Sequence, residues 1–329
     1  MNNEIVQFRA IPTKTQEVVY KRAGTYTLNI KVEPFLQDGS TPSSEGRIIM
    51  EPDTNYQSIL TKIKQEGALH ASLIDPDELK QPAAIAGRMA EFADKAGTDM
   101  FFVGGSTCFN QAFIEKTMKA IKKNSNKPII IFPGGINAVC QPADAILFIS
   151  ILNSTNPYFI IGGQMQGAVA IKMSGMEAIS TAYLIVAPGG AAGWLSDAKP
   201  LPRYKPEIAV GYALAAQYMG FKMLYLEAGS GADTSVPIEM IKKVKKYVNL
   251  PMIVGGGVNT PEDAREKVLA GADIIVQGTF LEENILRDEG ESLAAIIQSI
   301  KEAGASKEHA RPEVRQDNVV PEGNSCEGQ

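Results

Sequence analysis

A chain of 329 residues with 44% apolar and 21% charged side chains carries enough apolar matter for a large core, and its formal charge of −5 offers no basic field for nucleic acid. Three scattered thiols, Cys108, Cys140 and Cys326, form no CxxC pair, which argues against a disulfide framework and a cysteine-built zinc site. No apolar run reaches the roughly 18–20 residues of a membrane-crossing helix, and the polar N-terminus has no leader pattern, so a reduced cytoplasm is the expected setting.

Residues 1–50 read as a polar N-terminal extension of uncertain order, with Met50 as an alternative start. Within it, the alternation over residues 25–32 predicts a strand and the Gly/Ser/Pro cluster at 38–46 a linker. Residues 51–304 alternate strand and helix patterns. Eight short runs are mostly apolar on both faces, as parallel strands between an outer helix layer and an inner core should be: 69–74, 100–103, 129–132, 145–149, 182–187, 223–226, 252–254 and 273–276. The only two histidines, His70 in the first run and His309 in the polar tail, are expected to be structural bystanders rather than members of a Ser-His-Asp triad. Helical patterns separate most runs. Pro261–Ala270 is one, opened by Thr260 as N-cap, a proline, and the acids Glu262 and Asp263 at the positive end of the helix dipole.

This alternation predicts a closed (β/α)8 TIM-like barrel rather than an open sheet. One crossover breaks it. Residues 133–142 are too short and too rich in Pro and Gly for a helix, so the third helix should be missing or replaced by a loop. The next connection is long and carries a Met-rich apolar stretch at 158–176, which reads either as a buried helix with a loop or as a wall, Ala168 included, beside an open lipid groove. Residues 305–329 are expected to form a disordered polar tail, with 306–329 dispensable to the barrel.

In such a barrel the active site lies at the C-terminal strand ends. Those ends carry glycine repeatedly, and Gly256, Gly257, Gly278 and Thr279 close the last two strands, where barrels of this kind hold phosphate. Asp75 ends the first strand and Ser106 follows the second. A carboxylate and a hydroxyl in neighbouring positions suit Mg²⁺, although Asp75 also reads as a helix N-cap before Pro76, and Asp77 as a solvated first-turn acid. Glu227, at the mouth of the sixth strand among glycines, points to a proton-transfer or binding role, with a salt bridge to a neighbouring loop as the plainer reading.

The motifs Tyr225-Leu226-Glu227-Ala228-Gly229-Ser230-Gly231, Leu73-Ile74-Asp75-Pro76-Asp77, Gly104-Gly105-Ser106-Thr107, Val254-Gly255-Gly256-Gly257-Val258 and Gln277-Gly278-Thr279-Phe280 together resemble those of the geranylgeranylglyceryl phosphate synthases, in order and at family spacing. The longer variant of the first motif resembles the second group of that family, which is related to heptaprenylglyceryl phosphate synthase. The resemblance implies a prenyltransferase that joins the C3 hydroxyl of sn-glycerol 1-phosphate to a polyprenyl diphosphate, geranylgeranyl above others, in membrane phospholipid synthesis. It implies Glu227 as the base and Asp75 and Ser106 as Mg²⁺ ligands. Tyr225, Leu226, Glu227, Ala228, Gly229, Ser230, Gly231, Gly256, Gly257, Gly278 and Thr279 are implied as the glycerol phosphate site. A homo-oligomer is expected, with no nucleic-acid partner and no transmembrane segment, leaving room for peripheral membrane contact. Another phosphate-binding barrel enzyme and a non-catalytic isoprenoid-binding protein remain as rivals at this point.

Overall fold

The structure is a computed structural model that describes residues 54–78, 82–106 and 110–308, together with four short strands nearer the N-terminus. The chain divides into Met1–Thr54 and Asn55–Gln329. In the first unit the strands form two antiparallel pairs, Tyr20–Lys21 with Thr25–Tyr26 and Val32–Pro34 with Gly46–Ile48. The single strand expected over residues 25–32 is therefore corrected. Its two ends belong to separate hairpin pairs, and the residues between them lie outside the described ones.

In the second unit eight parallel strands close into a barrel. They are β1 (Leu69–Ile74), β2 (Met100–Val103), β3 (Ile129–Ile131), β4 (Ala145–Ile151), β5 (Glu177–Ile185), β6 (Met223–Glu227), β7 (Met252–Gly255) and β8 (Ile274–Gln277). Each pairs with the next, and β8 closes on β1 through Ile275↔His70 and Val276↔Ala71. The period-two alternation of a strand explains the doubly apolar runs. Leu69, Phe102, Leu147, Tyr183 and Tyr225 fill the barrel. Phe101, Val103 and Ile131 face outward onto α2 (Ala83–Ala96) and α3 (Gln111–Asn124). Leu224, Leu226 and Val254 face α6 (Pro206–Tyr218), α7 (Ile238–Tyr247) and α8 (Pro261–Ala270). Thr260 caps α8 as its sequence predicts, its side chain accepting from the Asp263 N–H at 3.1 Å. Helices α1 (Asn55–Glu66) and α10 (Glu291–Glu308) complete this part of the ring, and the short α5 (Gly190–Leu195) follows β5.

Two boundaries differ most from expectation, the start of β5 and the end of α10. β5 begins at Glu177 rather than at 182, because its first half contains Ser180 and Thr181, which hide the apolar pattern; pairing with β4 from Ala145↔Glu177 to Ile151↔Tyr183 fixes it as strand. After β3 the chain makes one 3₁₀ turn, Ile136–Ala138, in place of a helix, as expected of residues 133–142. α10 runs past residue 304 to Glu308, so residues 305–308 are helical, and the Lys307 ammonium donates to the Ala272 carbonyl at 2.8 Å. A truncation after Gly304 would remove that tie, so a cut that spares the barrel belongs after Glu308. Residues 309–329, with His309, lie outside the described ones. Among the described residues no helix is long and apolar enough to cross a membrane.

His70 is fully buried between the barrel and its helices. Its Nε2 lies 3.2 Å from Gln277 Oε1, and its Nδ1 lies 3.0 Å from Thr98 Oγ1. The Gln277 amide nitrogen donates to the Val258 carbonyl at 2.8 Å and the Thr98 hydroxyl to the Met100 carbonyl at 3.2 Å, so both neighbours of the ring are held in place. Burial lowers the His70 pKa from 6.5 to about 4, against the opposing pull of Asp99. The unfolded chain therefore binds the proton first as pH falls. Stability should drop between pH 7 and 5 by about 2 kcal/mol on this account alone. Urea unfolding at the two pH values is expected to show this loss in the wild type and to lack it in His70→Gln.

Candidate active site

β6 ends in Tyr225-Leu226-Glu227, and the alternation that buries Tyr225 inside the barrel also sends Glu227 inward. Glu227 is 6% exposed. Its Oε1 accepts the Gly229 N–H at 2.6 Å and its Oε2 accepts the Tyr183 hydroxyl at 3.1 Å; the Tyr225 hydroxyl also bonds to it. Burial raises its pKa above the ordinary 4.5, and the three hydrogen bonds pull the other way without cancelling the shift. A buried carboxylate at the barrel mouth with a raised pKa, and with no ion pair to a cation among the described residues, is chemically suited to accept a proton. Tyr183 and Tyr225 are pushed well above 10, by burial first and then by the Glu227 charge, so their hydroxyls stay donors.

The glycine-rich ends of β6, β7 and β8 converge on one rim. Gly256 has φ +80°, and a Cβ there would meet the Gly229 carbonyl oxygen and lie 2.5 Å from Glu227 Oε1. Only glycine lets the β7 loop lie against the Glu227 carboxylate. Across the rim, Ser230 Oγ stands 2.9 Å from Thr279 Oγ1, tying the β6 loop to the segment after β8, where α9 (Thr279–Asn284) begins. Gly231 is exposed on this rim, and Gly256, Gly257, Gly278 and Thr279 are half-buried. Leu226 and Ala228 are fully buried with their side chains in the helix layer.

On the other side of the mouth, Asp75 is half-buried after β1, and a Cβ on Gly105 would come within 2.6 Å of Asp75 Oδ1. Its charge reaches Tyr183 and Tyr225, raising both. Helix α2 starts only at Ala83, after Pro82, so Asp75 is not its cap, and Asp77 is not a first-turn acid. Ser106 is half-buried and lines the groove described next. Thr107 lies outside the described residues.

An open groove leaves the mouth beside Ser106 and Tyr183, passes over Phe132 and the 3₁₀ turn, and runs along the next helix. The missing third helix opens it, and its lining is mostly apolar. Residues 158–176 form its wall, as a π-helical turn, Tyr158–Gly162, followed by α4 (Gly163–Ser174). A π turn leaves carbonyls without their usual helical donors, and side chains supply them here. Ser150 Oγ donates to the Ile160 carbonyl at 2.7 Å, and the Gln164 amide donates to the carbonyls of Ile149 and Phe159. Gly163, Gln164, Gly167 and Ile171 face the groove. Ala168 does not; it is exposed on the far side of α4, because the helix turns by about 100° per residue and Gly167 takes the inward position.

Sequence reasoning missed Tyr183, Phe132 and Gln164. Tyr183 stands level with Tyr225 in the β5–β6 register, their rings 4.7 Å apart, with Phe132 5.9 Å and 5.7 Å from the two. A tyrosine in an otherwise apolar inward strand position was the available signal, since its hydroxyl needs a buried partner.

The sequence profile of the PcrB family matches residues 60–301. The geranylgeranylglyceryl phosphate synthase of Thermococcus sibiricus is 48% identical over 242 residues, covering 73% of this chain and 94% of that relative. The protein of the same name from Methanosphaera stadtmanae is 49% identical over 229 residues, covering 70% of this chain and 93% of its own. Among solved structures, the (S)-3-O-geranylgeranylglyceryl phosphate synthase of Thermoplasma acidophilum, in complex with its substrate sn-glycerol-1-phosphate, superposes with a TM-score of 0.72 at 40% identity over 76% of this chain and 99% of that one. The match runs from α1 to α10 and takes in every strand of the barrel: the chain belongs to the PcrB family.

Proposed function

We propose that the chain forms the ether bond between the C3 hydroxyl of sn-glycerol 1-phosphate and a polyprenyl diphosphate, geranylgeranyl by kinship, and releases diphosphate. It is a prenyltransferase of ether phospholipid synthesis. One observation carries this reading: a polar glycine rim and an apolar groove meet at a single buried carboxylate, with Tyr183 both lining the groove and bonding Glu227.

The rim takes the phosphate. Backbone N–H groups around Gly256, Gly257 and Gly278, with the Ser230 and Thr279 hydroxyls, supply donors to an anion without a buried cation. Glu227, held by the Gly229 N–H and the Tyr183 hydroxyl, takes the proton of the C3 hydroxyl as that oxygen bonds to the first prenyl carbon. The bond from that carbon to the diphosphate oxygen breaks, and its electron pair leaves with diphosphate. Asp75 and Ser106 fit magnesium, which takes one or two carboxylates and fills its shell with water and phosphate oxygens. Asp75 sits against Gly105 at the head of the groove, where a diphosphate would arrive. Magnesium, when bound, draws charge onto the leaving diphosphate. Exposed Ile208, Tyr218 and Met219 on the outer side of α6 support self-association, and we place the enzyme in the cytoplasm.

Incubation with sn-glycerol 1-phosphate, geranylgeranyl diphosphate and Mg²⁺ is expected to yield the prenylglyceryl phosphate ether by mass spectrometry. Absence of the ether across prenyl diphosphates of several lengths would count against the reading. The groove also makes a length prediction. A chain of about 20 carbons must lie along it, each buried CH₂ contributing roughly 0.8 kcal/mol. A Cβ at Gly167 would stand 3.9 Å from Ile171 and Val139, so a small side chain fits and a large one fills the groove. Gly167→Phe is expected to shift preference to shorter prenyl diphosphates at unaltered glycerol phosphate affinity. An unchanged length preference would place the prenyl chain elsewhere.

A further inference from the structure

The groove wall has an outer side. Ile161, Met165, Val169 and Met173 recur every fourth residue through the π turn and α4, and they are 63%, 66%, 71% and 82% exposed. That spacing holds them on one face, opposite the groove-facing Gly163, Gly167 and Ile171. Single exposed apolar side chains are ordinary on a protein surface, whereas four large ones in one row mark a contact surface. Between Asp144 and Glu177 the sequence holds one charged residue, Lys172, which lies at the edge of the same face.

We propose that this face docks on a lipid bilayer, so that the groove takes its prenyl chain from the membrane and returns the product there. The inference rests on the prenyl-transfer reading of the groove. Three features favour a bilayer as the occupant. The stretch has no carboxylate to be repelled by anionic headgroups or buried at cost beneath them. Lys172, in the last turn of α4, can keep its ammonium at headgroup level while its stem lies along the apolar row. The same helix walls a groove fit for a lipid tail, so the tail travels only the thickness of one helix between bilayer and site. Unbranched Met165 and Met173 also adapt to a fluid surface. No helix here crosses a membrane among the described residues, so the contact is one of lying on the surface.

The test uses the full chain and vesicles of mixed phosphatidylcholine and phosphatidylglycerol. The wild type is expected to sediment with them. The Met165→Glu/Val169→Glu double variant is expected to lose about tenfold in vesicle affinity, at unaltered melting temperature and elution volume. Met173→Glu alone should move in the same direction. Turnover of a short, water-soluble prenyl diphosphate without vesicles should be unchanged in these variants, while turnover of geranylgeranyl diphosphate presented in vesicles falls. The proposal is overturned if the wild type stays in the supernatant or if the variants bind vesicles as the wild type does. It is overturned equally if the variants change oligomeric size while vesicle binding survives, which would make the face a contact between copies. If the wild type turns over neither substrate yet binds vesicles through Met165 and Val169, the docking stands and the prenyl-transfer reading falls.

Discussion

Glu227→Gln is expected to lower turnover by about 10²–10⁴-fold, the usual share of general-base catalysis, while leaving melting and glycerol phosphate binding intact. Glutamine keeps the shape. Its carbonyl can still accept the Gly229 N–H, and the Tyr183 hydroxyl can rotate to accept from its amide. What is lost is the capacity to take a proton. The pH profile adds an independent reading. Burial raises the Glu227 pKa above 4.5, and only the deprotonated form is a base, so wild-type rate should fall with acid through a pKa above the ordinary carboxylate range. The variant's residual rate should lack that limb. Near-normal turnover with unaltered melting would show that another group accepts the proton.

Asp75→Asn is expected to cost about 10²-fold or more in turnover and to raise the Mg²⁺ concentration needed for half-maximal rate, because the substitution removes a carboxylate proposed to hold the cation at the head of the groove. Glycerol 1-phosphate affinity should stay within about twofold, since the glycine rim across the mouth does not use Asp75. Calorimetric titration of each ligand separates the two. Equal loss of both affinities would contradict the division of the mouth into a diphosphate side and a glycerol phosphate side.

The residues most legible in the sequence were those whose chemistry is local. Runs such as Leu69–Ile74 and Met100–Val103 agree with the strands found because nothing polar interrupts them, whereas the first half of β5 was hidden by Ser180 and Thr181. The broken crossover at 133–142 was visible because proline and glycine forbid a helix whatever surrounds them. Asp75, Glu227 and the late glycines were visible because strand ends collect function in this fold. Orientation was harder. Once Glu227 points inward, period two requires Leu226 and Ala228 to point outward, a step that a motif taken as one block conceals. Which side of α4 meets the groove depends on packing against Val139 and the strands, so Ala168 and Gly167 could not be told apart from the sequence. Tyr183 acquires its meaning from the β5–β6 register, which places it beside Tyr225 and within reach of Glu227.

The most direct test of the central claim follows one oxygen atom. sn-Glycerol 1-phosphate labelled with ¹⁸O at the C3 hydroxyl, reacted with unlabelled geranylgeranyl diphosphate on the wild-type protein, should give an ether that retains the label and diphosphate that carries none. Those are the fates required if the hydroxyl deprotonated by Glu227 attacks the prenyl carbon. An ether without the label, or label in the released diphosphate, would mean that a different bond is made at this site.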